Sequence, residues 1–166
     1  MTSSEYIKIN KQRWSKINAP YNPISGEGSD CCERVEIRIN DADYKVMYLP
    51  YKMMEEPLII LLSKVNSFKK AADLLSKNGA EITAKEVAFT FIQIRIRYDF
   101  EFWAYSFVKI KEKVSDEAVK SGKLGKMIQF KLNRGQRKLL RRLYKSMLNG
   151  EPIRVILLKA RQWGGS

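Results

Sequence analysis

The order of apolar and polar positions separates a strand-like stretch, a helical middle and a mixed C-terminal part. In "RVEIRINDADYKVMYLP", Val35, Ile37 and Ile39 alternate with polar residues, as do Tyr44, Val46 and Tyr48, and the polar Asn40 to Asp43 lies between the two runs. Period-two alternation on both sides of a turn-forming stretch predicts a β-hairpin. Pro50 closes it, because proline has no N–H with which to continue a ladder. From Glu55 the spacing becomes helical through Ile59, Leu62 and Val65, and Ser67 is placed to cap a second helix, "FKKAADLLSKN", that stops at Gly79. Thr83 and Glu86 have the spacing of a capping box, which predicts a third helix start. Two periods then compete: Ile92, Ile94, Ile96, Tyr98 and Phe100 alternate as in a strand, whereas Phe91, Ile94, Tyr98, Phe102 and Tyr105 keep near-helical spacing. The cap and the uninterrupted length favour one long buried helix reaching about Phe107, with its aromatic side inward.

Two short β segments, near Val108 to Lys113 and Met127 to Leu132, bracket the polar "SDEAVKSGKLGK", so a second hairpin or an excursion loop is expected. Asn133 is placed to cap "RGQRKLLRRLYKSMLN", whose Leu139, Leu140, Leu143, Tyr144, Met147 and Leu148 form one apolar stripe; Gly150 ends it. Arg137, Lys138, Arg141, Arg142 and Lys145 are expected on the outer face of that helix, either binding phosphates or, as is more common, forming a solvated basic face. After Pro152, "IRVILL" reads as a strand of the buried kind found at the centre of a parallel sheet. The turn-forming "NAPYNPISGEGSD" implies an extended N-terminal arm, with Tyr6, Ile9, Trp14 and Ile17 as anchors. No internal repeat is present. The fold expected is a mainly helical α+β fragment with short β-hairpins, divided as 1–57 (arm and hairpin), 58–107 (helical segment) and 108–166 (a further, incomplete α/β domain).

Composition changes the picture in three ways. Of 31 Lys/Arg and 18 Asp/Glu, giving a formal charge of +13, the segment Glu101 to Ser166 holds 16 and 5, so nearly all the excess is C-terminal. Such asymmetry favours a polyanionic partner, nucleotide or nucleic acid. The chain has no histidine, which removes Ser-His-Asp and Cys-His relays and His-ligated zinc peptidases. Cys31 and Cys32 are adjacent, which fits neither a C-x-x-C knuckle nor a disulfide framework and implies a reducing compartment. The polar start and the short apolar runs predict a soluble, intracellular protein with no membrane segment.

The chain ends "LLKARQWGGS". A strand followed by glycines and a hydroxyl residue suits phosphate, because glycine backbone N–H groups can close around oxyanions and the hydroxyl can ligate magnesium. The regular loop G-x-x-x-x-G-K-[ST] would place its lysine at Gly165, so Lys159 or Arg161 has to supply the cation. A strand ending in a glycine turn explains the same residues without a ligand. Gln136, at the start of the preceding helix, can read the adenine edge in the bidentate manner of amides, or it can be an ordinary first-turn glutamine.

"RYDFEFWAYSFVKIKEK", "IQFKLNRGQRKLLRRL" and "PIRVILLKARQWGGS" together resemble the N-terminal part of the large subunit of tailed-phage terminases, the ATP-driven motors that package DNA into empty capsids. The resemblance runs from about Tyr98 to Ser166, and "NAPYNPISGEGSD" is similar to phage and prophage members. It implies that Gln136 is the adenine-reading glutamine and that "ARQWGGS", with Gln162, Gly164 and Gly165, is a variant Walker A loop. Lys159 and Arg161 match the displaced basic positions, and Ser166 matches the magnesium-ligating hydroxyl; Gly165 departs from the lysine of many relatives. The implied cofactors are ATP and Mg2+. The implied partners are double-stranded DNA, a portal protein and a small terminase subunit, in the cytoplasm of a bacterial host. The Walker B acids, catalytic glutamate, coupling motif and nuclease domain of that family would lie past Ser166. The expectation is therefore the start of a truncated P-loop α/β ATPase domain, with no catalytic residue and no measurable ATPase activity of its own. Two other readings remain: another P-loop motor such as a helicase, and a basic nucleic-acid-binding module built on the helix-turn-helix-like "SFKKAADLLSKNGAEITAKEVAFTFIQIRI". Against the module, Val87, Phe89, Phe91 and Ile92 demand burial on most sides of the would-be recognition helix.

Overall fold

Ile37 and Ile39 can be buried together only if the strand opposite presents its own apolar residues at matching positions, and the register does so. In the computed structural model, β1 (Arg34–Arg38) pairs antiparallel with β2 (Val46–Pro50), Ile37 opposite Met47 and Val35 opposite Leu49. Directly opposed residues share a face, so Ile37, Ile39, Met47 and Leu49 point into the core. This corrects the expected parity of the second strand: Tyr44 and Val46 are exposed and Tyr48 is half-buried. The hairpin itself and its closure by Pro50 are as expected.

The structure describes residues 20–112 and 124–153, with Gly122, Ser4, Glu5, Ile7 and Ile9. These divide into two units, one formed within 23–26 and 33–132, the other within 1–22, 27–32 and 133–166. Among the described residues the architecture is mainly helical α+β, with five α-helices and two small antiparallel two-stranded sheets.

In the first unit, a 3-10 turn (Tyr51–Glu55) leads from β2 into α1 (Pro57–Val65), α2 (Phe68–Lys77) and α3 (Ala84–Tyr98). Proline at the first helical position of α1 costs nothing, since that N–H has no intrahelical partner. Asn66 ends α1 in the left-handed region, at φ 55°, a conformation asparagine tolerates better than most residues. Ser67 caps α2 as expected, its hydroxyl accepting from the Lys70 N–H. Asp41, from the hairpin loop, adds a carboxylate that accepts from the Phe68 and Lys69 N–H groups at 2.9 and 3.0 Å and from the Ser67 hydroxyl. Burial opposes the ionisation of Asp41, but these donors outweigh it and hold its carboxyl below the ordinary carboxylate value. The small Ala71 and Ala72 let α2 approach the core closely. The Phe68 and Phe91 rings meet between α2 and α3 in a tilted contact, with centroids 5.5 Å apart.

The Thr83–Glu86 capping box is formed, and the segment beyond it is helical. Val87, Phe91 and Ile94 are buried, and Tyr98, Phe102 and Tyr105 are half-buried, so the helical period prevails over the strand-like one. Two expectations are corrected. The helix is not continuous to Phe107: it breaks at Asp99, which ends α3 and caps α4 (Phe100–Phe107) by accepting from the Phe102 N–H. Phe89 and Ile92 are 60% and 39% exposed, because at 100° per residue they lie off the Val87–Phe91–Ile94 face.

The second hairpin is present as β3 (Lys109–Lys111) and β4 (Met127–Gln129), with Ile110 opposite Ile128. In the other unit, α5 (Arg134–Leu148) follows Asn133 and ends before Gly150, whose φ of +66° terminates it. Leu140 is buried and Leu139, Leu143 and Tyr144 are half-buried, as the stripe predicts, but Met147 is exposed. The expected extended arm is instead turned at residues 20–32, where Gly26 and Gly28 adopt positive φ. A Cβ on Gly26 would lie 2.1 Å from the Tyr48 carbonyl oxygen, so this turn has room only for glycine. Tyr6, Trp14, Ile17 and the "RVILL" part of the predicted strand lie outside the described residues.

Candidate functional site

Of the candidate residues named from the sequence, Gln136 lies at the start of α5. There Asn133 and Gln136 form a reciprocal cap: the Gln136 N–H donates to Asn133 Oδ1 at 3.0 Å, and Gln136 Oε1 accepts from the Asn133 N–H at 2.8 Å. This satisfies two backbone donors that a helix start otherwise leaves unpaired. Gln136 is thus part of the helix cap and not a freely solvated first-turn residue. Its side chain is held at the helix N-terminus by the local sequence N-x-x-Q.

The next residue, Arg137, is buried at 8% exposure, a correction to its expected place on the solvated face. It lies on the stripe of Leu140 and Tyr144, at i, i+3 and i+7, and burial there requires partners for its charge. The Glu27–Cys32 segment supplies them. Arg137 donates to the Gly28 carbonyl at 3.0 Å and to Asp30 Oδ1 at 2.8 Å, and its guanidinium stacks 4.0 Å over the Tyr21 ring. Arg141 donates to the Asp30 carbonyl and to Asp30 Oδ2. Asp30 therefore clasps two successive turns of α5, while Arg134, Lys138, Arg142 and Lys145 stay exposed.

A second constellation, which the sequence reading did not identify, lies within the other unit. Asp99 accepts from both terminal nitrogens of Arg34, at 2.9 and 3.0 Å, in a bidentate pair, and from Arg95 at 3.3 Å; Glu101 accepts from Arg34 at 3.0 Å. All four side chains are at most 5% exposed. Arg34 also donates to the Tyr48 carbonyl, Arg95 to the Pro23 carbonyl, and Arg95 lies 4.1 Å from the Phe102 ring centroid. Burial pushes Arg95 below the ordinary guanidinium value, opposed chiefly by Asp99. With two cations set against two carboxylates, the cluster balances its own charge. Its ion pairs tie β1 to the α3–α4 junction. The signal that was available is the i, i+4 pair Arg95 and Asp99 on the apolar side of α3.

Of the residues matched to nucleotide binding, Gln136 alone is described; Lys159, Arg161, Gln162, Gly164, Gly165 and Ser166 lie outside the described residues. Among the described residues, no group of three or more His, Cys, Asp or Glu side chains could hold a metal ion. No helix among them is long and apolar enough to cross a membrane. In comparisons with known proteins, no protein-family model, no curated protein and no solved structure matches this chain.

Proposed function

We propose that the protein of which this sequence forms all or part is an ATP-driven nucleic-acid motor resembling the terminase large subunit, in which Gln136 reads adenine and the Lys159 to Ser166 loop takes the phosphates with Mg2+. Double-stranded DNA is the polyanion it acts on, with a portal protein and a small terminase subunit as partners. The observation that supports this reading is the cap that fixes Gln136 at the α5 N-terminus. A glutamine orientated by its own helix pays little further entropy to meet a base. Its carbonyl oxygen has two lone pairs, so accepting from the Asn133 N–H is compatible with accepting from the adenine amino group. The C-terminal excess of Lys and Arg suits a polyanion.

The cap also supplies a clean test. Gln136→Glu keeps the capping box, because glutamate is equally suited to the third helical position, but removes the amide donor that adenine N7 requires. In calorimetric titrations of the chain with ATP and GTP, the variant should retain wild-type thermal stability and lose about 1–3 kcal/mol of ATP affinity, abolishing any preference over GTP. Unchanged ATP affinity and an unchanged ATP-to-GTP ratio would remove Gln136 from the site.

A further inference from the structure

Consecutive side chains in an extended chain point to opposite faces, yet the bend at Cys31 and Cys32 turns both to the same side and brings their sulfurs to 3.9 Å. No disulfide joins them. Cys31 is buried at 1% exposure beside the Ser29 hydroxyl, and Cys32 is half-buried. The pair directly follows Asp30, the residue that clasps Arg137 and Arg141 of α5. We propose that Cys31 and Cys32 are a vicinal dithiol oxidised within one chain by a low-molecular-weight disulfide, and that this oxidation loosens the hold of the Asp30 segment on α5.

The chemistry balances in two exchanges. The accessible Cys32 thiolate attacks one sulfur of glutathione disulfide, forming a mixed disulfide and expelling one glutathione thiolate. The Cys31 thiolate then attacks the Cys32 sulfur and expels the second, so two protein thiols are oxidised while one glutathione disulfide is reduced to two glutathiones. Closing from the observed separation to a bond of about 2.05 Å requires the backbone at 31–32 to turn. Asp30, one peptide away, cannot keep both its carbonyl and its carboxylate on α5 through that turn. The product encloses the connecting peptide in a small ring, and constrained disulfides are more readily reduced, which makes the step reversible.

The test is to expose the reduced chain to glutathione disulfide, quench with N-ethylmaleimide, and measure intact mass and the hydrogen exchange of α5. The proposal predicts a monomer lighter by two hydrogens, with no glutathione and no maleimide attached, and several-fold faster exchange across Gln136–Arg142 that reverts on reduction. Cys31→Ser should stop at a glutathione adduct on Cys32. Retention of both thiols, a persistent wild-type adduct or an interchain dimer would overturn the dithiol. Oxidation that leaves α5 exchange unchanged would overturn its coupling to the helix.

Discussion

At the scale of single residues, Asp99 joins local and long-range contacts. It ends one helix, begins the next, and pairs with two buried guanidinium groups, one of them shared with Glu101. Removing one partner of a buried ionic cluster leaves uncompensated charge, so Asp99→Ala should destabilise the protein by about 3–5 kcal/mol in denaturant unfolding. An exposed pair such as Lys52–Glu55 should matter by about 1 kcal/mol or less. A loss at Asp99 no larger than that would mean the cluster is solvated and contributes little. The Arg95–Asp99 pair is local, but the bidentate partner was not legible from local pattern, since Arg34 and Asp99 are 65 positions apart. A charged residue in an apolar run signals only that some partner is needed, not which one.

At the scale of elements, local rules did well because their causes are local. Helix caps act over three residues, and Ser67, Thr83 and Asn133 each cap the helix the sequence assigned to them. Thr83→Ala should cost about 0.5–2 kcal/mol through loss of the reciprocal bond with Glu86. A loss below that range in equilibrium unfolding would show that α3 is held by packing alone. The parity of β2 was not legible, because "VMYLP" offers apolar residues on both faces and only pairing with Ile37 selects Met47 and Leu49. Likewise, Asp99 at the helix break takes a charge partner, Arg34, from the distant β1. Asp41 at the start of α2 gives a pH dependence with a defined sign. Its folded value is depressed, so its contribution is fully present above the unfolded value of about 3.9 and is lost as pH falls through the lower folded value. The stability gap between wild type and Asp41→Ala should therefore be constant near neutrality and narrow below about pH 4. A gap that persists unchanged into strong acid would assign the role of Asp41 to packing instead of charge.

At the scale of the whole molecule, the composition pointed to a polyanionic partner, and the exposed Arg134, Lys138, Arg142 and Lys145 of α5 are consistent with that direction. The N-x-x-Q cap fixes the position of Gln136 by helix chemistry, and occupancy separates a nucleotide site from a well-made helix start. The most direct measurement is hydrogen exchange of the chain with ATP and Mg2+, followed in peptides covering Asn133–Arg141 and Lys159–Ser166. The account predicts that ATP protects both peptides together, and that GTP protects the first one less. Protection of neither peptide at saturating ATP, or of the C-terminal peptide alone, would contradict an adenine site at Gln136.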